Sequence, residues 1–284
     1  MPVDIESLYP KLIHLLLDTV FVVDRQDRIV FVSDTCETLL GYRADELVGT
    51  LITDYMHPDD LAMTSKAIGR IIEGEHHIDF RNRYVRKDGS VVHILWSARW
   101  SGEDGVRIGV ARDVTALTEA EAELQFLAHH DPLTRLTNRW LFHDRLASAL
   151  RTARRHQDGL ALLFVDINDF KIINDAHGHA VGDRVLCEVA RRLEACVREC
   201  DTVARLGGDE FVILLTDVHS VDAVAAKAEQ IRTVMAEPLH DELDEINMPT
   251  CSIGVACYPD DGDDANALLA QADARMYTEK RGLE

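Results

Sequence analysis

The chain has 284 residues, enough for roughly two domains, and 46% of them are hydrophobic, which suffices for packed cores. Fifty acidic against thirty basic residues give a formal net charge of −20, which excludes a general binder of nucleic acids or acidic membranes. Six cysteines without a Cys-x-x-Cys pair indicate neither a zinc knuckle nor a disulfide framework, and they fit a reducing cytoplasm.

The N-terminal apolar run carries no membrane signal. Leu15–Val23 is interrupted by Asp18 and ended by Asp24, well short of the roughly 20 residues that a membrane-spanning helix needs. The run also lacks the basic start of a signal peptide. We therefore expect a cytoplasmic protein without membrane contact.

The first segment, residues 1–115, alternates β-rich runs with short helical ones. Polar turns separate the strands, and glycines stand where the short helices would end. In chain order, the pattern predicts a hairpin, two short helices, one longer helix and three strands: Val20–Asp24, Arg28–Val32, Leu39–Tyr42, Glu46–Gly49, Met56–Ile72, Ile78–Arg86, Val91–Trp100 and Val106–Asp113. This order predicts an antiparallel sheet with helices on one face.

Four short motifs in this segment resemble those of PAS domains. They are Leu39–Tyr42, His57–Asp60, Arg86–Ser90 and the closing Gly109–Thr115. The resemblance implies a sensor or dimerisation module, and some PAS domains hold haem or flavin.

Neither cofactor is expected here, and the PAS ligand stays unknown. Cys36 lies before Gly41, whereas the reactive cysteine of light-sensing flavin PAS domains follows the position that Gly49 matches. The helical stretch 60–72 contains no histidine to ligate haem iron. The remaining candidates favour plainer roles: a helix start for His57, a solvated loop for His76 and His77, and core or dimer contacts for Trp96 and Trp100.

Residues 116–128 form the predicted linker between the domains, a helix rich in helix formers and free of Gly and Pro. Leu117, Ala120, Leu124 and Leu127 fall at successive a and d heptad positions. Two alternatives stay open on this spacing, a coiled coil with a second copy and a single amphipathic helix packed on its own domain.

The third segment, residues 129–284, predicts an α/β sandwich. Leu160–Asp166 is a continuous apolar run that ends in an acid, typical of a central strand buried on both faces. The other predicted elements are a helix, a hairpin, a helix, a strand and a helix: Val181–Val197, Thr202–Leu206 with Phe211–Leu215, Val221–Met235, Pro249–Cys257 and Asn266–Lys280.

The hairpin between these strands carries Gly207 and Gly208 followed by Asp209 and Glu210. Taken alone, two glycines and two acids fit a solvated turn. If the strand that ends in Asp166 lies beside the hairpin, however, the three carboxylates could converge on a divalent ion.

The ordered motifs of this segment resemble the GGDEF domain of diguanylate cyclases over essentially all of 129–282. The motifs are Asp131–Arg139, Asp166–Ile167, Phe170–Asp175, Gly178–His179, Gly182–Asp183, Gly207–Phe211, Ser252–Ala256 and Ala272–Asp273 with Met276, Tyr277 and Lys280. The resemblance implies a palm-like α/β sandwich similar to nucleotide cyclases. It also implies a reaction that joins two GTP into cyclic di-GMP with release of pyrophosphate. The chain as a whole is then α+β, a PAS antiparallel sheet with flanking helices followed by this sandwich.

The resemblance also assigns roles to individual residues. It implies two Mg²⁺ per active site, held by Asp166, the Ile167 carbonyl, Asp209 and Glu210. It implies catalytic roles for Asp209, Glu210 and Lys171, and GTP contacts through Phe170, Lys171, Asn174, Asp183 and Lys280.

Two of these assignments carry an alternative. The guanine-binding role expected of Asp183, like that of Asn174, rests on the resemblance, because an Asp after Gly at a helix start also fits an N-cap. The phosphate-binding Arg expected a few residues beyond Lys280 is not found before the sequence ends at Glu284, so either Arg281 substitutes for it or the sequence was cut before it.

Arg198 and Asp201 stand at the spacing of the family's inhibitory Arg-x-x-Asp motif, ahead of the Gly-Gly signature. Such a pair suits guanine and phosphate groups of the product. An ordinary ion pair at a helix end is the alternative.

We therefore expect a PAS-regulated diguanylate cyclase that takes GTP, is inhibited by cyclic di-GMP, and forms a homodimer through the PAS domain and linker helix. One alternative is a non-catalytic module that binds GTP or cyclic di-GMP. A second is the front part of a longer chain with a phosphodiesterase domain, which Tyr258–Gly262 resembles in form.

Overall fold

A computed structural model describes residues 16–73, 77–237 and 248–283. Contacts divide the chain into two compact units, Met1–Glu123 and Leu124–Glu284. The predicted domain limits, which set 116–128 apart as a linker, stay a prediction. In the part of the chain that is described, no helix is both long and apolar enough to cross a membrane.

The first unit is built on a five-stranded antiparallel sheet. Its strands lie in the order β2-β1-β5-β4-β3, so the first and last strands of the unit meet at its centre. Their bounds are β1 Thr19–Asp24, β2 Ile29–Val32, β3 His77–Val85, β4 Val91–Ser101 and β5 Val106–Asp113. The five predicted strands and the antiparallel sheet are confirmed.

Short helices connect the second and third strands. They are α1 Cys36–Leu40, α2 Ala44–Leu47 and α3 Leu61–Ile72, with single 3-10 turns at Ile52–Tyr55 and Pro58–Asp60. Phe21, Tyr84 and Trp96 lie in the core of this unit, where the Trp96 indole donates to Asn82 Oδ1 at 2.8 Å. The expected core role of Trp96 is therefore confirmed.

Two of the residues considered as cofactor ligands in this unit, His57 and Cys36, have plain structural surroundings. The ring of His57 accepts from the Asp59 N–H at the start of a helical turn, as expected. Cys36 is buried, and burial raises the pKa of its thiol to about 11, so it is protonated at neutral pH. His76 lies outside the described residues, and His77 begins β3 without a described side chain.

The predicted linker helix is present as α4, Thr115–His129. None of its residues is buried, and Leu117 and Leu124 are 50% and 69% exposed. A helix packed along its own domain would bury one face. The heptad positions are therefore exposed in the single chain, and their pairing with a second copy stays a prediction.

The second unit contains a four-stranded antiparallel sheet in the order β7-β8-β6-β9. Its strands are β6 Gly159–Ile167, β7 Thr202–Gly207, β8 Glu210–Val218 and β9 Cys251–Tyr258. Its helices are α5 Arg139–His156, α6 Phe170–His177, α7 His179–Ala195, α8 Val221–Met235 and α9 Ala265–Leu283. Helices α5 and α6 were not predicted from the sequence.

Helices cover both faces of this sheet. Helices α7 and α8 pack on one face around Val189 and Ile231, and α5 and α9 pack on the other around Leu146 and Leu268. Each such side chain, when fully buried, contributes about 1.5–3 kcal/mol to folding. Strand β6 is buried along nearly all its length because its side chains alternate between the two covered faces. The prediction of a central strand buried on both faces is confirmed.

Candidate active site

The signature residues form the tight hairpin that the sequence predicts. Gly207 at the end of β7 pairs with Glu210 at the start of β8, so Gly208 and Asp209 are the two residues of the turn. Gly208 has φ +54°, a left-handed conformation that glycine adopts at little cost. The turn therefore presents Asp209 at its tip and Glu210 at the first residue of the strand.

Strand β6 brings Asp166 beside this hairpin. Asp166 is the register partner of Glu210 across the β6–β8 ladder, and the Ile167 N–H donates to the Asp209 carbonyl at 3.4 Å. Asp166, Asp209 and Glu210 thus lie at the same end of the two central strands, as expected if the strand lies next to the hairpin.

Charge at this edge is crowded and unevenly exposed. The Asp166 side chain is 11% exposed and the Glu210 side chain 44% exposed. Burial raises the pKa of Asp166, and the charges of Asp209 and Asp273 raise it further, although a hydrogen bond from Lys280 opposes them. Burial likewise raises the pKa of Glu210.

Two cations from other elements lie against these carboxylates. Lys280 Nζ on α9 forms an ion pair with Asp166, and the Arg139 guanidinium at the start of α5 lies 4.0 Å from Glu210. Within the described residues, no group of three His, Cys, Asp or Glu side chains is close enough to hold a metal ion. The carboxylates are therefore neighbours without closing around one point.

Helix α6 follows β6 and carries the residues expected at the nucleotide. Lys171 is exposed, whereas Phe170 and Asn174 are partly buried against α7. A Cβ at Gly182 of α7 would lie 1.9 Å from Asn174 Oδ1, so only glycine permits this approach of the two helices. Asn174 Oδ1 is buried, and no donor among the described residues forms a hydrogen bond with it.

Asp183 lies inside α7 and is exposed. The N-cap of α7 is Gly178, so the alternative that Asp183 caps a helix is wrong. The helix begins at His179, two residues before the predicted start at Val181. His179 and Ala180 are polar or small, so they do not extend the apolar pattern although they are helical.

The Arg198–Asp201 pair does not form the helix-end ion pair that was the alternative. Asp201 accepts from the Arg198 N–H at 3.0 Å and from the Thr216 N–H at 3.1 Å. Among the described contacts, Arg198 reaches Asp201 through its backbone N–H and not through its guanidinium, and Arg198 is exposed. Both residues line a cavity of about 340 Å³, together with His130, Arg135 and Arg145.

Three residues near the signature were not assigned a role from the sequence. Arg139 donates to the Leu206 carbonyl at 3.2 Å, Arg205 donates to the Gly208 carbonyl, and the charge of Asp273 on α9 acts on Asp166 and Glu210. Each of the three residues lies within a sequence motif or beside the signature, so its position was visible in the sequence. Their contacts join distant parts of the chain, and the spacing of residues does not reveal such contacts.

Two family models match this chain. The model described as "Diguanylate cyclase, GGDEF domain" matches residues 128–283, and the PAS fold model matches residues 29–111. The first spans more than half of the chain, so the protein belongs to the GGDEF family. The predicted order of a PAS fold followed by a GGDEF domain, and the α+β fold class, are confirmed.

Individual relatives agree with this membership. The chain is 46% identical over 166 residues to the bifunctional diguanylate cyclase/cyclic di-GMP phosphodiesterase MucR of Pseudomonas aeruginosa, covering 58% of this chain and 24% of that protein. It is 30% identical over 282 residues to a diguanylate cyclase of Vibrio cholerae, covering 97% of this chain and 87% of that one.

A solved structure of the DgcB coiled coil and GGDEF domain from Caulobacter crescentus, in complex with c-di-GMP, is also similar. It is 30% identical with a TM-score of 0.52, covering 60% of this chain and 89% of that chain. The chain spans between 22% and 38% of the length of MucR and of three other curated relatives that it matches.

Proposed function

We propose that this protein is a diguanylate cyclase that joins two GTP into cyclic di-GMP and releases pyrophosphate. The observation that carries the proposal is the register of β6 against β8, which sets Asp166 beside Glu210 with Asp209 at the adjoining turn. Membership of the GGDEF family and the activity named for the Vibrio cholerae relative support it.

The donor set at this edge fits magnesium. Carboxylate oxygens of Asp166, Asp209 and Glu210 and the Ile167 carbonyl are hard oxygen ligands, the kind that Mg²⁺ prefers. Burial first, and the neighbouring carboxylates second, raise the pKa of Asp166 and Glu210, and a bound cation would offset both effects. Two bound Mg²⁺ would stabilise charge on the phosphates and lower the pKa of the attacking 3′-hydroxyl.

The remaining residues would bind and orient GTP. Asn174 Oδ1 is a buried acceptor that receives no hydrogen bond from the part of the chain that is described, and Asp183 is an exposed acceptor on the neighbouring helix. Guanine offers N–H donors to such groups and adenine lacks them at the same positions. Lys171 and Lys280 would contact phosphates, Lys280 after leaving Asp166. Phe170, which like Asn174 approaches Gly182, would also contact GTP.

Product inhibition is the second part of the proposal. The cavity beside Arg198 and Asp201 measures about 340 Å³ and is lined by two further arginines, Arg135 and Arg145. Three guanidinium groups suit the phosphates and guanine edges of cyclic di-GMP, which the similar DgcB structure holds.

Regulation by the PAS domain is the third part. The heptad positions Leu117, Ala120, Leu124 and Leu127 are exposed, as a seam for a second copy requires. Beyond the helix, the Arg135 guanidinium stacks 3.7 Å above the Phe126 ring centre. Asn138 Nδ2 also donates to the Ala128 carbonyl at 3.0 Å. These contacts would pass a rotation of a paired α4 into the cyclase unit.

We assign no ligand to the PAS domain. Its interior cavity, lined among others by Met56, Ile71 and Trp96, measures about 40 Å³. Pockets that hold drug-sized ligands measure ~300 Å³ or more.

Incubation with GTP and Mg²⁺, followed by separation of the products, tests the proposed function. We expect cyclic di-GMP and pyrophosphate from the parent, no cyclic product from ATP, and no turnover by Asp209→Ala or Asp166→Ala. Asp222→Ala, an exposed acid in the first turn of α8, is the matched control and should retain full activity. Near-parental turnover in Asp209→Ala would refute the assignment.

A further inference from the structure

Arg205 joins two distant parts of the second unit through its guanidinium. Its Nε and Nη2 donate to the Gly208 carbonyl at 3.0 Å and 2.8 Å, and its Nη1 donates to Asp131 Oδ1 at 3.0 Å. The side chain is 11% exposed. We call these three groups, Asp131, Arg205 and the Gly208 carbonyl, the Arg205 clamp.

The carbonyl held by the clamp belongs to the peptide bond between Gly208 and Asp209. Because that peptide is planar, the direction of its carbonyl fixes the direction in which Asp209 leaves the turn. Gly208 lacks a Cβ and resists rotation less than other residues would. The opposite side of Asp209 is held by the Ile167 N–H, so hydrogen bonds restrain the backbone on both sides of this residue.

The other end of the clamp is anchored just after the linker helix. Asp131 follows the end of α4 by two residues. Its Oδ1 also accepts from the Thr134 N–H at 2.8 Å and from the Thr134 hydroxyl at 2.7 Å. The Arg205 N–H donates to the Thr137 carbonyl at 3.0 Å, which adds a backbone contact to the same segment.

We propose that Arg205 is a positioning residue for the cyclase reaction, which holds the Gly208–Asp209 peptide so that Asp209 stays at the same end of the central strands as Asp166 and Glu210, where a metal ion would draw the three carboxylates together. The proposal rests on the proposed function, since it takes Asp209 to be a metal ligand. It adds that Asp131 anchors this arrangement, so a shift of the residues after α4 moves Asp209.

Arg205→Lys in the full chain tests the proposal, because a lysine keeps the charge but cannot bridge a carbonyl and a carboxylate in a fixed plane. We expect kcat to fall about 100-fold, as for an angstrom-scale misplacement of a reacting group. KM for GTP should stay within about threefold, since the nucleotide contacts are untouched. Asp131→Asn should show the same pattern with a smaller loss, because the two bonds to Gly208 remain.

The matched control is Arg275→Lys. Arg275 also bridges a backbone carbonyl, that of Val255 at 2.6 Å, and an aspartate, Asp261, but it does not contact the signature turn. If Arg205 only stabilises the fold, both lysine variants will lower the melting temperature and neither will change kcat per folded molecule. That result, or a parental kcat in Arg205→Lys, would overturn the proposal. A parental kcat in Asp131→Asn would overturn the anchoring role.

Binding of Mn²⁺ alone, followed by electron paramagnetic resonance, separates this proposal from the proposed function. A parent that binds Mn²⁺ but forms no cyclic di-GMP refutes the cyclase assignment. The metal measurement then decides the role of Arg205. We expect Arg205→Lys to weaken Mn²⁺ binding about tenfold relative to the parent and Arg275→Lys, as when a residue that orients a metal ligand is changed. Equal affinity in all three, or a parent that binds no Mn²⁺, overturns the positioning role.

Discussion

Gly182→Ala probes the contact between α6 and α7 that supports the proposed guanine site. The new Cβ would lie 1.9 Å from Asn174 Oδ1, 2.9 Å from Asn174 Cγ and 3.2 Å from Phe170 Cζ. Real Cβ atoms do not approach other atoms as closely as the first two distances, so Asn174 must move. The substitution therefore displaces the proposed guanine acceptor without touching a charged group.

Two opposing terms set the magnitude for folding. Overpacking of this kind costs about 1–3 kcal/mol, whereas alanine in place of glycine in a helix contributes about 1 kcal/mol. The net loss of stability is then between about 0 and 2 kcal/mol, so the fold should survive. Loss of one hydrogen bond to GTP, about 0.5–1.5 kcal/mol, corresponds to a rise in KM of up to about tenfold.

The assay is the initial rate of cyclic di-GMP formation over a series of GTP concentrations, with thermal unfolding measured on the same samples. Gly69→Ala is the control, because Gly69 lies in α3 and a Cβ there meets nothing within 4 Å. It should stabilise slightly and leave KM unchanged. A Gly182→Ala variant with parental KM and a raised melting temperature would show that Asn174 takes no part in binding GTP.

Three further predictions concern the inhibitory site, the linker and acid stability. Arg198→Ala should relieve inhibition by added cyclic di-GMP without lowering the initial rate, and equal inhibition in variant and parent would exclude the motif as a product site. Leu124→Asp places a charge on the proposed heptad seam. Sedimentation across a concentration series should show weaker dimerisation, and enzyme assays should show a lower specific activity. A variant that stays dimeric and fully active would remove the linker from the mechanism. Hydrogen bonds from Arg191 and Arg192 lower the pKa of Glu188 from 4.5 to about 2, so its stabilising effect should be present above pH 4.5 and vanish as the pH falls toward 2. The difference in unfolding free energy between the parent and Glu188→Gln, measured in urea, should shrink over that range, and a constant difference would contradict the shift.

Elements with a clear period were predictable from the sequence. Strand β6 is buried on both faces, so all its residues are apolar up to Asp166. Helix α8 is buried along one stripe, so its apolar residues recur with the helical period. Helix α5 was missed although Phe142, Leu146 and Leu150 recur every four residues and Asn138 caps it by accepting from the Leu141 N–H. The signal is present in the sequence, and it begins at Arg139, the last residue of the motif Asp131–Arg139.

Contacts between distant segments were not predictable in the same way. Helix α6 has eight residues and exposes Ile172 at 63%, so its apolar pattern is too short and too mixed to mark a face. Asp201, which precedes β7, accepts from the Thr216 N–H on β8, and nothing in the local sequence of either residue indicates that partner. Such geometry follows from how the sheet and helices assemble.

The distribution of thiols makes the segment that carries Arg198 and Asp201 accessible to chemical labelling. Four of the six cysteines are buried, and Cys187 and Cys200 are exposed. Partial burial and, to a smaller extent, the charge of Asp183 raise the pKa of the Cys187 thiol, which lowers its fraction of reactive thiolate. In a Cys187→Ser background, a spin label or fluorophore would therefore attach at Cys200, beside Asp201. If the protein dimerises as proposed, distances between two such labels would report how far apart the two GGDEF domains lie, with and without nucleotide.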